Sequence, residues 1–133
     1  MTDPLFYVAD THSLLWHLYD IPRLGPGAQT AFQRVSNGRA TLFIPAIVLA
    51  EIVHTVERRR HDIDLREALD TIAEADNFQV LPFDLEGARA LVDLIEITEM
   101  HDRMIVAAAR AYDAPLITND LAITASGLVT VIW

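Results

Sequence analysis

The chain has 133 residues, 52% of them hydrophobic, with 19 acidic against 10 basic side chains for a formal charge of -9. That supports a single domain spanning 1–133 with a real core and excludes a disordered chain. There is no cysteine and every basic residue is Arg. Disulfide frameworks, thiolate nucleophiles, Schiff-base lysines, P-loop lysines and the lysine of phosphoacceptor-aspartate switches are therefore all excluded.

Phe6 to Asp10 is a short apolar run bounded by Pro4, read as a buried strand that runs straight into an acid. THSLLWHLYD follows, with Leu14, Leu15, Leu18 and Tyr19 at helical spacing, and stops at the turn IPRLGPG. Pro26 and Gly27 open a helix from Ala28 to Ser36, closed by Asn37-Gly38. Thr41 to Ile44 is a second strand. Pro45 then sits where a first helical residue is tolerated, and AIVLAEIVHTVERRR reads as a long helix. Asp64 caps LREALDTIAEA, and Phe78 to Leu81 is a third strand stopped by Pro82. Asp84 caps LEGARALVDLIEI, read as helical from Leu85 to Ile97. A helix from Asp102 to Tyr112, a strand from Leu116 to Thr118, a short helical turn after Asn119-Asp120 and a strand from Leu128 to Ile132 complete the chain.

Strands alternating with helices predict a three-layer α/β/α fold with a mostly parallel central sheet. The functional crevice of such a fold lies beyond the carboxyl ends of its strands. Asp10 and Asp120 both fall at that end, and Asp102 is an acid at a helix start. Each acid has an ordinary structural use: Asp10 and Asp120 as helix caps, Asp102 as a first-turn acid favoured by the helix dipole. Capping and ligation are compatible. Glu51 interrupts IVLAEIV and is expected on a largely buried helix, where a carboxylate needs an Arg or a metal. Four carboxylates brought together repel one another unless a hard cation sits among them, which points to magnesium or manganese. An all-carboxylate site with open water positions suits phosphodiester hydrolysis by activated water.

VADTHSLLW, the glutamate within IPAIVLAEI, HDRMIVAAARAYDAPLITND and the closing VTVIW resemble, in order and over essentially the full chain, the PIN domain and specifically the VapC-type toxin ribonucleases of bacterial toxin–antitoxin pairs. The resemblance implies a magnesium- or manganese-dependent endoribonuclease, a cognate antitoxin, an RNA substrate and a homodimer. It places the metal-binding and catalytic acids on Asp10, Glu51, Asp102 and Asp120, supported by Thr11 and Thr118. Where many relatives carry a Pro two or three residues before the third acid, this chain has Glu99-Met100-His101.

Arg58, Arg59 and Arg60 end the long helix, where they complement its dipole or clamp RNA phosphate, and Arg103 is the better-placed candidate to touch substrate. His12, His17, His54, His61 and His101 lack metal-ligand spacing and receive no catalytic role, with His12 kept in view because it lies close to Asp10. A metal-dependent phosphatase, a DNA-directed nuclease and a non-catalytic protein-binding module are the alternatives. The aspartate-nucleophile phosphatases expect a D-x-D near the first strand, and D-T-H lacks it. The N-terminal MTDPLF shows no secretory pattern and no apolar run reaches the roughly 20 residues of a bilayer span, so a cytoplasmic protein without a membrane partner is expected.

Overall fold

β1 (Phe6–Ala9) is built from four consecutive apolar residues, and all but the first are buried, as in a strand covered on both faces. A computed structural model describes residues 3–60 and 62–133. After β1 come α1 (Thr11–Leu18), α2 (Pro26–Ser36), β2 (Thr41–Pro45), α3 (Ala46–Arg59) and α4 (Leu65–Glu74). Then follow β3 (Phe78–Leu81), α5 (Leu85–Leu91), α6 (Met100–Ala111), β4 (Leu116–Ile117), α7 (Leu121–Ser126) and β5 (Val131–Ile132). The five strands form one sheet in the order β3-β2-β1-β4-β5, and every neighbouring pair is parallel.

The sheet grows outward in both directions from its middle. The chain leaves β1 for β2 and β3 on one side, then returns to lay β4 and β5 on the other. With right-handed crossovers, the first four helices cover one face and the last three the other. Val8, Leu42, Ile44, Leu116 and Ile117 are fully buried between these layers. β3 is an edge strand, and its Gln79 and Val80 are exposed accordingly. The expected three-layer α/β/α architecture is what the chain adopts, and the sheet is parallel throughout.

Local differences from the sequence expectation have physical causes. The helix expected from Leu85 to Ile97 stops at Leu91. Beyond it, Leu94 N–H donates to Leu91 O and Ile97 N–H to Leu94 O, both at 3.1 Å. This three-residue repeat turns Leu94 and Ile97 to the core while Val92 and Ile95 face solvent. The helix expected from Asp102 begins two residues earlier at Met100, because Glu99 caps it. Pro45 ends β2 and is the residue before the α3 helix rather than its first member. His61 lies outside the described residues.

Candidate active site

β1 and β4 are adjacent strands from which the chain departs in opposite directions, so the crevice of the fold opens at their carboxyl ends. Asp10 directly follows β1, and Asp120 stands three residues beyond the end of β4. Asp10 caps α1: its Oδ1 accepts the Ser13 N–H at 2.9 Å. Asp120 caps α7 through the Ile123 N–H, donated to Oδ1 at 2.8 Å. The capping uses anticipated from sequence are therefore real, and each occupies one carboxylate oxygen.

Buried Thr118 couples these two acids. Its hydroxyl donates to Asp10 Oδ2, and its oxygen accepts the Asp120 N–H at 3.1 Å. Ser13, also buried, donates its hydroxyl to the Ile117 carbonyl at 2.9 Å and so pins the start of α1 to the end of β4. Nothing in the sequence singled Ser13 out. A Ser three residues after a strand-end acid, inside an otherwise apolar stretch, was the available signal.

Glu51 enters from α3. Its Oε1 accepts the Thr11 hydroxyl at 2.8 Å, and its Oε2 lies 3.2 Å from His101 Nδ1. Glu51 itself is half-buried, its side chain keeping 27% of its exposure. The buried stripe of α3 is Val48, Ile52 and Val56, and Glu51 stands beside it facing the crevice. His101 also lies 3.4 Å from Glu99 Oε1, so one imidazole bridges two carboxylates of the rim. Sequence reasoning gave His101 no part here because its partner is fifty residues away in the chain.

Asp102 lies in the first turn of α6, its N–H donated to Glu99 Oε2 at 2.7 Å. Among the described residues, no hydrogen bond reaches the Asp102 carboxylate itself. Burial pushes this carboxyl up to about 6, and the negative charges of Asp120, Glu99, Glu51 and Asp10 push in the same direction. All four predicted acids thus share one electrostatic neighbourhood, with Glu99 as an unforeseen fifth. Among the described residues no three His, Asp or Glu side chains are closed tightly enough to grip an ion as they stand. The donor set nevertheless fits a hard divalent cation: oxygen ligands only, with more negative charge than the surroundings neutralise. Both oxygens of Asp10 and of Glu51 are engaged by protein groups, whereas the Asp102 carboxylate and Asp120 Oδ2 accept no hydrogen bond among the described residues.

The predicted arginines divide. Arg103 is half-buried, and its Nε donates to the Ile97 carbonyl at 2.7 Å, tying α6 to the turns before it. Arg58 and Arg59 are exposed at the last turn of α3, and Arg60 pairs with Asp62 at 3.7 Å. None of these three touches the acids.

The fold and the acidic crevice together define a class: a parallel α/β domain with carboxylates gathered at its topological switch point. The chain belongs to the PIN domain family, whose model matches residues 7–125. Among solved structures it is similar to VapBC2 from Rickettsia felis bound to a DNA fragment from its promoter, with a TM-score of 0.71 and 18% identity covering 95% of this chain and 96% of that one. DNA-bound VapBC from Salmonella typhimurium gives a TM-score of 0.68 at 16% identity, covering 96% of each chain. VapC20 from Mycobacterium tuberculosis, described as a toxin that cleaves the sarcin-ricin loop, gives 0.65 at 18%, covering 96% of this chain and 99% of that one. No curated protein matches the sequence. At these identities the structural likeness concerns the fold.

Proposed function

We propose that this PIN domain is a magnesium- or manganese-dependent endoribonuclease and the toxin member of a toxin–antitoxin pair, acting in the cytoplasm. The observation that carries the reading is the gathering of Asp10, Glu51, Asp102 and Asp120 at the switch point, with Thr118 joining Asp10 to Asp120 and Asp102 feeling the charge of the other three. Crowded carboxylates at the switch point of such a sheet are what a hard cation neutralises. Asp10, Glu51, Asp102 and Asp120 would hold the ion. When bound, the ion supplies positive charge against the attacked phosphate and acidifies water for the hydrolysis.

The chain's own residues do the positioning. Thr118 fixes Asp10 and Asp120 relative to each other, and Thr11 fixes Glu51. His101 holds the other oxygen of Glu51 and limits its rotation. No nucleophile is supplied by the protein, in keeping with the absence of Cys and Lys. RNA incubated with the protein and magnesium is expected to be cut internally, and EDTA or Asp102→Asn to stop the cutting. Cleavage that persists in EDTA sinks the metal-dependent reading, and equal cleavage of single-stranded DNA removes the restriction to RNA.

Two partners complete the proposal. Similarity to chains solved as toxin–antitoxin complexes supports a cognate antitoxin. Phe83, Leu85, Val92, Ile95 and Met100 are exposed on one short stretch of chain, which supports burial of that stretch in a homodimer. Sedimentation at micromolar concentration checks the second point: a monomer that persists there argues against it.

A further inference from the structure

We propose that the cleft between α1 and α3 is a binding subsite for the RNA that flanks the cut bond, with Arg23 and Arg59 taking phosphate and His12 and Trp16 facing the adjoining base. This rests on the ribonuclease reading and adds where the substrate is gripped. A cavity of about 220 Å³ is lined there by His12, Trp16, Arg23, Thr55, Arg59 and Arg60, among others. None of the four acids lines it, but it lies next to them along α1 and α3. The hydrogen bond from Thr11 to Glu51 forms the border, His12 is the next residue on α1, and Thr55 lies one turn beyond Glu51 on α3. From Glu51 to Arg59 the helix advances about 12 Å, too far to touch the cut phosphate and within reach of a flanking nucleotide.

The contents of the cavity suit a nucleotide. The Arg23 guanidinium carbon sits 5.5 Å from the Trp16 ring centroid, an arrangement that orients the flat cation. Trp16 is braced at 5.7 Å by His12 and at 5.8 Å by Trp133. Among the described residues Arg23 and Arg59 form no ion pair, although acids outnumber arginines 19 to 10. An arginine fork without a carboxylate matches phosphate, and an aromatic or guanidinium face accepts any base. The need is physical too. The acids repel an RNA backbone, so the strand must be held by positive charge elsewhere along its path. An acidic segment of a protein partner is the competing occupant. The short distance along α1 and α3 to the carboxylates favours RNA, which must pass both.

Cleavage of a short RNA by wild type and by the Arg23→Ala/Arg59→Ala double variant separates these outcomes. KM is expected to rise about tenfold, with kcat within about twofold. The slope of log affinity against log salt should shrink by about 0.7 per lost phosphate contact. Arg23→Lys/Arg59→Lys should recover part of the loss, since charge returns without the fork. Arg66→Ala, exposed at the start of α4 and outside the cavity, should change nothing. An unchanged thermal midpoint shows that the double variant folds. If wild type cuts RNA and the double variant keeps both KM and salt slope, the subsite is overturned, as it is if the variant loses affinity for the antitoxin alone. If wild type cuts no RNA, the ribonuclease reading falls by itself. Binding of labelled RNA by Asp102→Asn then decides the subsite: salt-sensitive binding lost on removing both arginines supports it, and no binding overturns it.

Discussion

Asp102 carries a charge that the folded chain resists, and this has a consequence for stability. Its carboxyl titrates near 6 when folded and in the ordinary carboxylate range when unfolded. Between those values the folded protein holds a proton that the unfolded chain has released. Stability of the metal-free protein therefore falls as pH rises through that window and levels off above it. Asp102→Asn should flatten this dependence and raise the metal-free thermal midpoint at neutral pH, while abolishing RNA cleavage; a midpoint that drops instead contradicts the crowding of charge inferred here. Thr118 offers the opposite case. It is buried with both its donor and acceptor engaged, so Thr118→Val should cost about 1–3 kcal/mol in chemical denaturation. At this scale the sequence told much about the aspartates, because a polar residue just past an apolar strand is visible locally. It told little about Glu99 and His101, whose importance comes from a fold that brings α6 against α3. Apolar neighbours along the helix left open which way Glu51 faces, and the fold settles it by setting Glu51 against Thr11 and His101.

Among the elements, strong apolar strands and capped helices were legible and irregular segments were not. Asp64 was expected to cap α4, and it does so through the Arg66 and Glu67 N–H groups. Asp64→Ala should cost about 1 kcal/mol by thermal or urea unfolding and leave RNA cleavage unchanged, because α4 contributes nothing to the crevice. The α5 region misled because Leu91, Leu94 and Ile97 fit both a helix and a run of tight turns. Only packing against α6 chooses between them. The start of α2 shows a constraint of another kind. Gly27 donates its N–H to the Trp133 carbonyl at 2.9 Å, and a Cβ there would lie 2.6 Å from the same oxygen. Gly27→Ala should force β5 and α2 apart and lower the thermal midpoint by several degrees, with a loss of about 1–3 kcal/mol as the measure. The sequence reading gave this glycine a role in opening the helix, and its contact with the far end of the chain lay beyond any local pattern.

For the molecule as a whole, the sheet order was not readable from the strands alone, whereas its parallel character followed from the helices between them. The net charge of -9, with a carboxylate group at its centre, makes the protein a natural ligand for divalent cations. Manganese at one hundred times its dissociation constant should stabilise the folded state by about 2.7 kcal/mol, read as a rise in thermal midpoint, and Asp10→Asn should remove that rise. A flat response across millimolar manganese counts against the site. One feature of the topology reaches further. The acids come from positions 10, 51, 102 and 120: the cap between β1 and α1, the third helix, the sixth helix and the cap of α7 beyond β4. Between them lies nearly every layer of the domain, and β4 must slot in beside β1 before the set is complete. A chain still missing its last quarter therefore lacks Asp102, Asp120 and the strand that brings Asp120 beside Asp10. On the ribonuclease reading proposed above, no RNA is cut until that last segment has folded against β1.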